Sequence, residues 1–179
     1  QEAKDASINV AIGVFERDGS KLYDSAFFIT REGKIGLKYR RISWKWHWPN
    51  SDPEVYCEGE EVGVFNSDIG KVCFLICGDL FDYDLDKIKA NDADLLLFPF
   101  AKSLKNGSQD QETWNNELND DYARLVNKAN KTTFMVNYLG TPELNDPCIG
   151  GANVITSDGQ IIGSYPIGQE GIYYIELDE

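Results

Sequence analysis

The chain of 179 residues contains one histidine, His47, and four cysteines, Cys57, Cys73, Cys77 and Cys148, none of them in a C-x-x-C pair. One imidazole and scattered thiols do not make a tetrahedral zinc site, and thiols this sparse are not a disulfide scaffold. The single histidine also removes most Ser/His and Cys/His schemes of nucleophilic catalysis. It sits in Trp44-Lys45-Trp46-His47-Trp48-Pro49, where it reads as an exposed or pocket-rim residue. Basic charge is scarce as well, with 17 Lys and Arg against 30 Asp and Glu, for a formal net charge of −13. A nucleic-acid groove or a contact with an anionic membrane surface needs clustered cations, so a small or neutral partner is expected instead. No run approaches the ~20 apolar residues of a membrane span. The first residues, Gln1-Glu2-Ala3-Lys4-Asp5, lack the basic-then-apolar order of a signal peptide, which leads to the expectation of a cytoplasmic protein.

Apolar content is ample. At 42% hydrophobic and 12% aromatic residues the composition supports one packed core, and no repeat or flexible linker divides residues 1–179 into more than one domain. Ile8 to Phe15, Lys21 to Thr30 and Lys34 to Ile42 read as three strands. The Asp18-Gly19 and Glu32-Gly33 turns between them predict an antiparallel meander. A long aromatic and acidic loop follows, roughly Ser43 to Gly59. Gly63 to Asn66 and Val72 to Cys77 are then strands about the turn Ser67-Asp68-Ile69-Gly70.

From Cys77 the period changes. A short helix is expected between Leu80 and Asn91, a continuous apolar strand from Asp94 to Phe100, and a second helix on which Trp114, Leu118, Tyr122, Leu125, Val126 and Ala129 step by three or four. Thr132 to Leu139 reads as another buried strand. Strand, helix, strand, helix, strand implies parallel right-handed crossovers. A hairpin about Ser157-Asp158-Gly159 and a closing strand, Gly171 to Leu177, complete the α/β reading. The opening Gln1 to Ala6 resembles the tail of a helix, so the chain is expected to start in mid-domain.

One segment points to chemistry. In Leu75-Ile76-Cys77-Gly78-Asp79-Leu80-Phe81 an apolar strand ends on a cysteine and turns through glycine into an acidic amphipathic helix. A thiol at such a turn meets backbone N–H groups that stabilise a thiolate and, after attack on a carbonyl, an oxyanion. This is the arrangement of a nucleophile elbow.

Two further segments, in order, accompany it. Gly36-Leu37-Lys38-Tyr39-Arg40-Arg41-Ile42 is similar to a strand ending Tyr-Arg-Lys, and Pro53-Glu54-Val55-Tyr56-Cys57-Glu58-Gly59 to a loop in which a glutamate precedes an aromatic residue and a glycine. With Gly70 to Asp79, Ala93 to Pro99, Ala123-Arg124, Asn137 to Gly140 and Gly150 to Gly163, the set resembles the carbon–nitrogen hydrolase (nitrilase) superfamily over nearly the whole chain. The resemblance implies an αββα sandwich of mixed sheets covered by helices, here lacking its N-terminal part. It also implies association into homodimers or higher oligomers.

The activity implied is hydrolysis of a non-peptide carbon–nitrogen bond in a small amide or nitrile, through a cysteine thioester and without metal or organic cofactor. Cys77 is then the nucleophile, Glu54 the auxiliary glutamate, and Gly78 and Phe100 substrate contacts. The family's general-base glutamate lies ahead of the strand that begins at Ile8. Arg41 occupies the position of the catalytic lysine. It keeps the positive charge but is larger and planar, so two readings stand: a hydrolase, or a nitrilase-like domain that binds a small molecule or protein without turnover.

Overall fold

A computed structural model of the chain describes residues 1–44, 51–141 and 146–177. His47, Trp46 and Trp48 lie outside the described residues, and Trp44 is exposed. After a single helical turn, α1 (Glu2–Asp5), the strands β1 (Val10–Asp18), β2 (Lys21–Ile29) and β3 (Ile35–Arg40) form the expected antiparallel meander in that order. Side chains alternate across this sheet. Ala26, Phe28 and Tyr39 enter the core, while Ser25, Lys38 and Arg40 meet Glu16 on the other face. By the same period Asp24 and Arg41 fall on the core side.

The second sheet is built from β4 (Val64–Ser67), β5 (Gly70–Phe74), β6 (Leu95–Phe100), β7 (Thr132–Asn137), β8 (Ala152–Ile155) and β9 (Ile161–Tyr165), arranged in chain order. β5, β6 and β7 run parallel and the remaining pairs antiparallel, as the crossovers and hairpins require. The sheets pack face to face. Gly36 on β3 lies where an added Cβ would be 2.5 Å from the Phe65 ring, so only glycine permits this approach.

Helices α2 (Asp79–Asp82), α3 (Leu85–Ala90), α4 (Gln111–Glu117) and α5 (Arg124–Ala129) carry the crossovers, with a π-helical segment, Leu118–Ala123, joining the last two. Leu96, Phe98 and Phe100 face them: Phe98 and Phe100 stack 5.1 Å apart, and Trp114 and Tyr122 meet edge-on at 5.4 Å. Among the described residues no helix is long and apolar enough to cross a membrane.

Three expectations are corrected. The helix between Leu80 and Asn91 is two, because Tyr83 and Asp84 are extended and the Asp84 side chain accepts from Asp86 N to cap α3. Residues 171–177 pair with no strand; they lie over β9 through side chains, Tyr173 touching the ring of Tyr165. The strand from Thr132 is buried on one face only. Val136 on the other face is 59% exposed, and Phe15 on the edge strand β1 is 74% exposed.

Candidate active site

β5 ends at Phe74, but its path continues: Leu75 N donates to Leu97 O (3.3 Å) and Cys77 N to Pro99 O (3.4 Å), which brings the thiol to the C-terminal edge of the parallel strands. At Cys77 the backbone turns left-handed, with φ of 47°. A residue with a Cβ adopts this at a cost of about 1–2 kcal/mol, held by its surroundings. Gly78 then enters the right-handed region at φ −59° and starts α2. Leu75, Ile76, Asp79 and Leu80 around the turn are buried, and Cys77 is half-buried.

Asp79 holds this turn against the first sheet. Its side chain is fully buried and accepts from four donors: Tyr39 Oη (2.7 Å), Ile76 N (3.0 Å), Ile42 N (3.1 Å) and Ser43 N (2.8 Å). Burial first, and then the adjacent carboxylate, push the Tyr39 phenol far up, so it stays a neutral donor. The chain leaving β3 is thereby fixed next to the turn that carries Cys77.

Arg41 is the residue so delivered. It is 5% exposed, and Nη1 stands 2.6 Å from Oδ2 of Asp24 on the neighbouring strand. The other oxygen, Oδ1, accepts from Tyr56 Oη at 2.6 Å, and the Tyr56 ring lies 6.0 Å from the guanidinium carbon. Arg41 Nε is buried without a hydrogen-bond partner among the described residues. The loop bearing Tyr56 is docked along β2, Leu22 N donating to Val55 O (2.7 Å) and Cys57 N to Leu22 O (2.9 Å). Gly59 closes it: its N–H donates to Arg41 O at 2.8 Å, and a Cβ there would stand 2.4 Å from Arg40 O.

Burial pushes the Cys77 thiol up. Backbone hydrogen bonding at Ala101, the charge of Arg41 and the backbone at Gly78 act the other way, and Asp24 adds to the rise. A one-turn α2 is too short to reverse this, so the thiolate expected from the helix start is not favoured at rest. Cys73 is pushed up to about 11 and Cys148 to about 12, chiefly by burial.

The structure therefore brings Cys77, Gly78 and Arg41 together. Glu54 it leaves exposed, and among the described residues no hydrogen bond or ion pair joins its carboxylate to Arg41 or Cys77; its backbone N is held by Asp52. Phe100 is 6% exposed, its ring packed against Phe98, Trp114 and Tyr122. Sequence reasoning missed Asp24, Tyr56 and the role of Asp79. The signal for Asp24 was an acid in phase with the apolar Ala26 and Phe28.

The sequence model of the carbon-nitrogen hydrolase family matches residues 1–179. A probable nitrilase of Schizosaccharomyces pombe is 26% identical over 183 residues, a match that takes in 96% of this chain and 61% of the relative. Among solved structures, a carbon-nitrogen hydrolase from Helicobacter pylori G27 has a TM-score of 0.71 at 16% identity, over 94% of this chain and 61% of that one. The glutamine-dependent NAD+ synthetase of Acinetobacter baumannii has a TM-score of 0.74 at 17% identity, over 93% of this chain and 30% of that one. An amidase from Nesterenkonia sp. AN1, carrying the acetamide moiety of fluoroacetamide on its active-site cysteine, has a TM-score of 0.71 at 18% identity over 92% of this chain and 60% of that one. The chain thus spans about three-fifths of the curated relative, and the solved structures share its fold. With a match that runs from Gln1 to Glu179 and a nitrilase-type pair of sheets, the chain belongs to the carbon-nitrogen hydrolase family.

Proposed function

We propose that this chain carries the nucleophile of a hydrolase that cleaves the carbon–nitrogen bond of a small amide through a thioester on Cys77. The observation that carries the reading is the left-handed Cys77 at the strand-to-helix turn, held by Asp79 beside the buried Arg41. Sγ attacks the amide carbon, the carbonyl oxygen gathers negative charge, and the backbone N–H of Gly78 and the Arg41 guanidinium stabilise it. The thiol proton passes through a base to the departing nitrogen, which leaves as ammonia or an amine. Water then adds to the thioester and releases the acid. The resting thiol is held neutral by burial, so deprotonation needs that base.

Small amides as substrates are supported by the Nesterenkonia amidase, whose cysteine takes up the acetamide group. The test is ammonia release from a panel of small amides and nitriles by wild type, Cys77→Ala and Arg41→Lys. Turnover in wild type that is lost in Cys77→Ala bears the reading out. Turnover that survives Cys77→Ala overturns it. The partial cancellation of Arg41 by Asp24 favours a second reading, a domain that binds an amide-like ligand without turnover; saturable binding with no ammonia from any variant would select it.

A further inference from the structure

The carboxylate on the core face of β2 stands out. The inner face of the three-stranded sheet is otherwise apolar or aromatic at Ala26, Phe28, Leu37 and Tyr39, yet Asp24 shares it. Both of its oxygens are committed, Oδ2 to Arg41 Nη1 at 2.6 Å and Oδ1 to Tyr56 Oη at 2.6 Å. The backbones are tied too, Arg41 N donating to Asp24 O at 2.8 Å. One carboxylate thus joins β2, the residue after β3 and the docked loop at the place where Asp79 fixes the chain to the Cys77 turn.

We infer that Asp24 is a positioning residue of the reaction site: it anchors the Arg41 guanidinium through Nη1 within electrostatic range of Cys77 and offsets its charge there. The inference rests on Cys77 and Arg41 being the reacting pair. An isolated guanidinium in this site would be costly, and a carboxylate partner makes its burial tolerable. Arginine differs from lysine here in that its planar fork holds the Asp24 carboxylate through one nitrogen in a fixed orientation.

The titratable groups within electrostatic range of the Cys77 sulfur, among the described residues, are Arg41 from the end of β3, Asp24 from β2, Tyr122 from the π-helical segment and Cys148 from the loop after β7. Burial pushes Tyr122 and Cys148 up, so neither changes charge near neutrality, and Arg41 and Asp24 are the pair whose charges the thiol senses. Glu58 lies beyond, beside Tyr56.

The test is the pH dependence of iodoacetamide labelling at Cys77, resolved by mass, on folded wild type, Asp24→Asn, Arg41→Met and the double variant. A charge within contact range moves a titration by about one unit or more, tenfold in thiolate at fixed pH. Asp24→Asn is expected to lower the Cys77 midpoint, Arg41→Met to raise it by more, and the double variant to fall between the two. A midpoint unchanged in Asp24→Asn, or moved in the same direction as in Arg41→Met, overturns the inference. If Asp24→Asn does not fold, the double variant, which buries no lone charge, is compared with Arg41→Met. A lower midpoint in the double supports the role of Asp24, and an equal one refutes it. Labelling needs no turnover, so opposed shifts in a protein that hydrolyses no amide would keep the coupling of Asp24 and Arg41 to Cys77 while losing the proposed function.

Discussion

Arg40 and Arg41 are neighbours in sequence and lie on opposite faces of the same sheet. Each meets a carboxylate, with different consequences. Arg40 is held at two nitrogens: Nε and Nη2 fork onto Glu16 at 2.9 and 2.6 Å, Nη2 also reaches Asp18 at 2.7 Å, and the guanidinium lies 3.6 Å over the Tyr23 ring. Arg41 has one short ion pair and an unanswered Nε among the described residues. The first arrangement answers its Nε and Nη2 within the fold, and the second leaves one buried donor unanswered, which costs roughly 1–3 kcal/mol. Strand alternation alone separates the two roles.

The comparison breaks most severely at the residue that fixes the inner face. Asp79→Ala strands four donors at once, and a loss of about 3–5 kcal/mol is expected, read as a melting temperature lower by about 10 °C. Arg41→Ala should cost on the order of 2–4 kcal/mol in kcat/KM for an amide, the value of an oxyanion donor, measured by steady-state ammonia release. Arg40→Ala should leave kcat/KM unchanged and lower stability by about 1 kcal/mol in urea unfolding, because its partners are partly exposed. A drop in turnover as large as that of Arg41→Ala would erase the contrast between the faces.

Acid sharpens the same contrast. Hydrogen bonding from Arg40, and then from Lys38 and Ser25, holds the Glu16 carboxyl far below the usual carboxylate range against a smaller opposing effect of burial. A carboxylate depressed in the folded state stabilises it at neutral pH, and that contribution fades as pH falls below the ordinary glutamate value towards the depressed one. Glu16→Gln should therefore lose stability at pH 7 and show a flatter decline below about pH 4.5 than wild type, in urea unfolding at stepped pH. The smallest effect is on association. Phe15, 74% exposed on the edge strand β1, favours self-contact, and Phe15→Lys should reduce the apparent mass in light scattering without changing the melt.

Period and turn chemistry made most of the fold legible: the meander, the parallel β5-β6-β7 core and the β8–β9 hairpin lie where alternation and Asp-Gly turns put them. The break at Tyr83 was hidden, since Leu85 and Ile88 fit one helix as well as two and the capping by Asp84 decides. Gly171 to Leu177 has strand-like residues, yet among the described residues it meets β9 through side chains instead of backbone pairing, which no local pattern reveals. In the site, Cys77 and Gly78 were readable because one turn contains both. Asp24 and Tyr56 meet Arg41 from 17 and 15 positions away, and the helix start suggested a more acidic thiol than burial allows. Glu54 was chosen by motif register, whereas the exposed side of the loop is where the backbone puts it.

The most direct measurement is acid-quenched mass spectrometry of the protein mixed with a small aliphatic amide, followed by peptide mapping. The account predicts an acyl group on the Cys77 peptide that forms before acid product accumulates, persists longer in Arg41→Lys and is absent in Cys77→Ala. An acyl group on another residue, or product formed by Cys77→Ala at the wild-type rate, would contradict it.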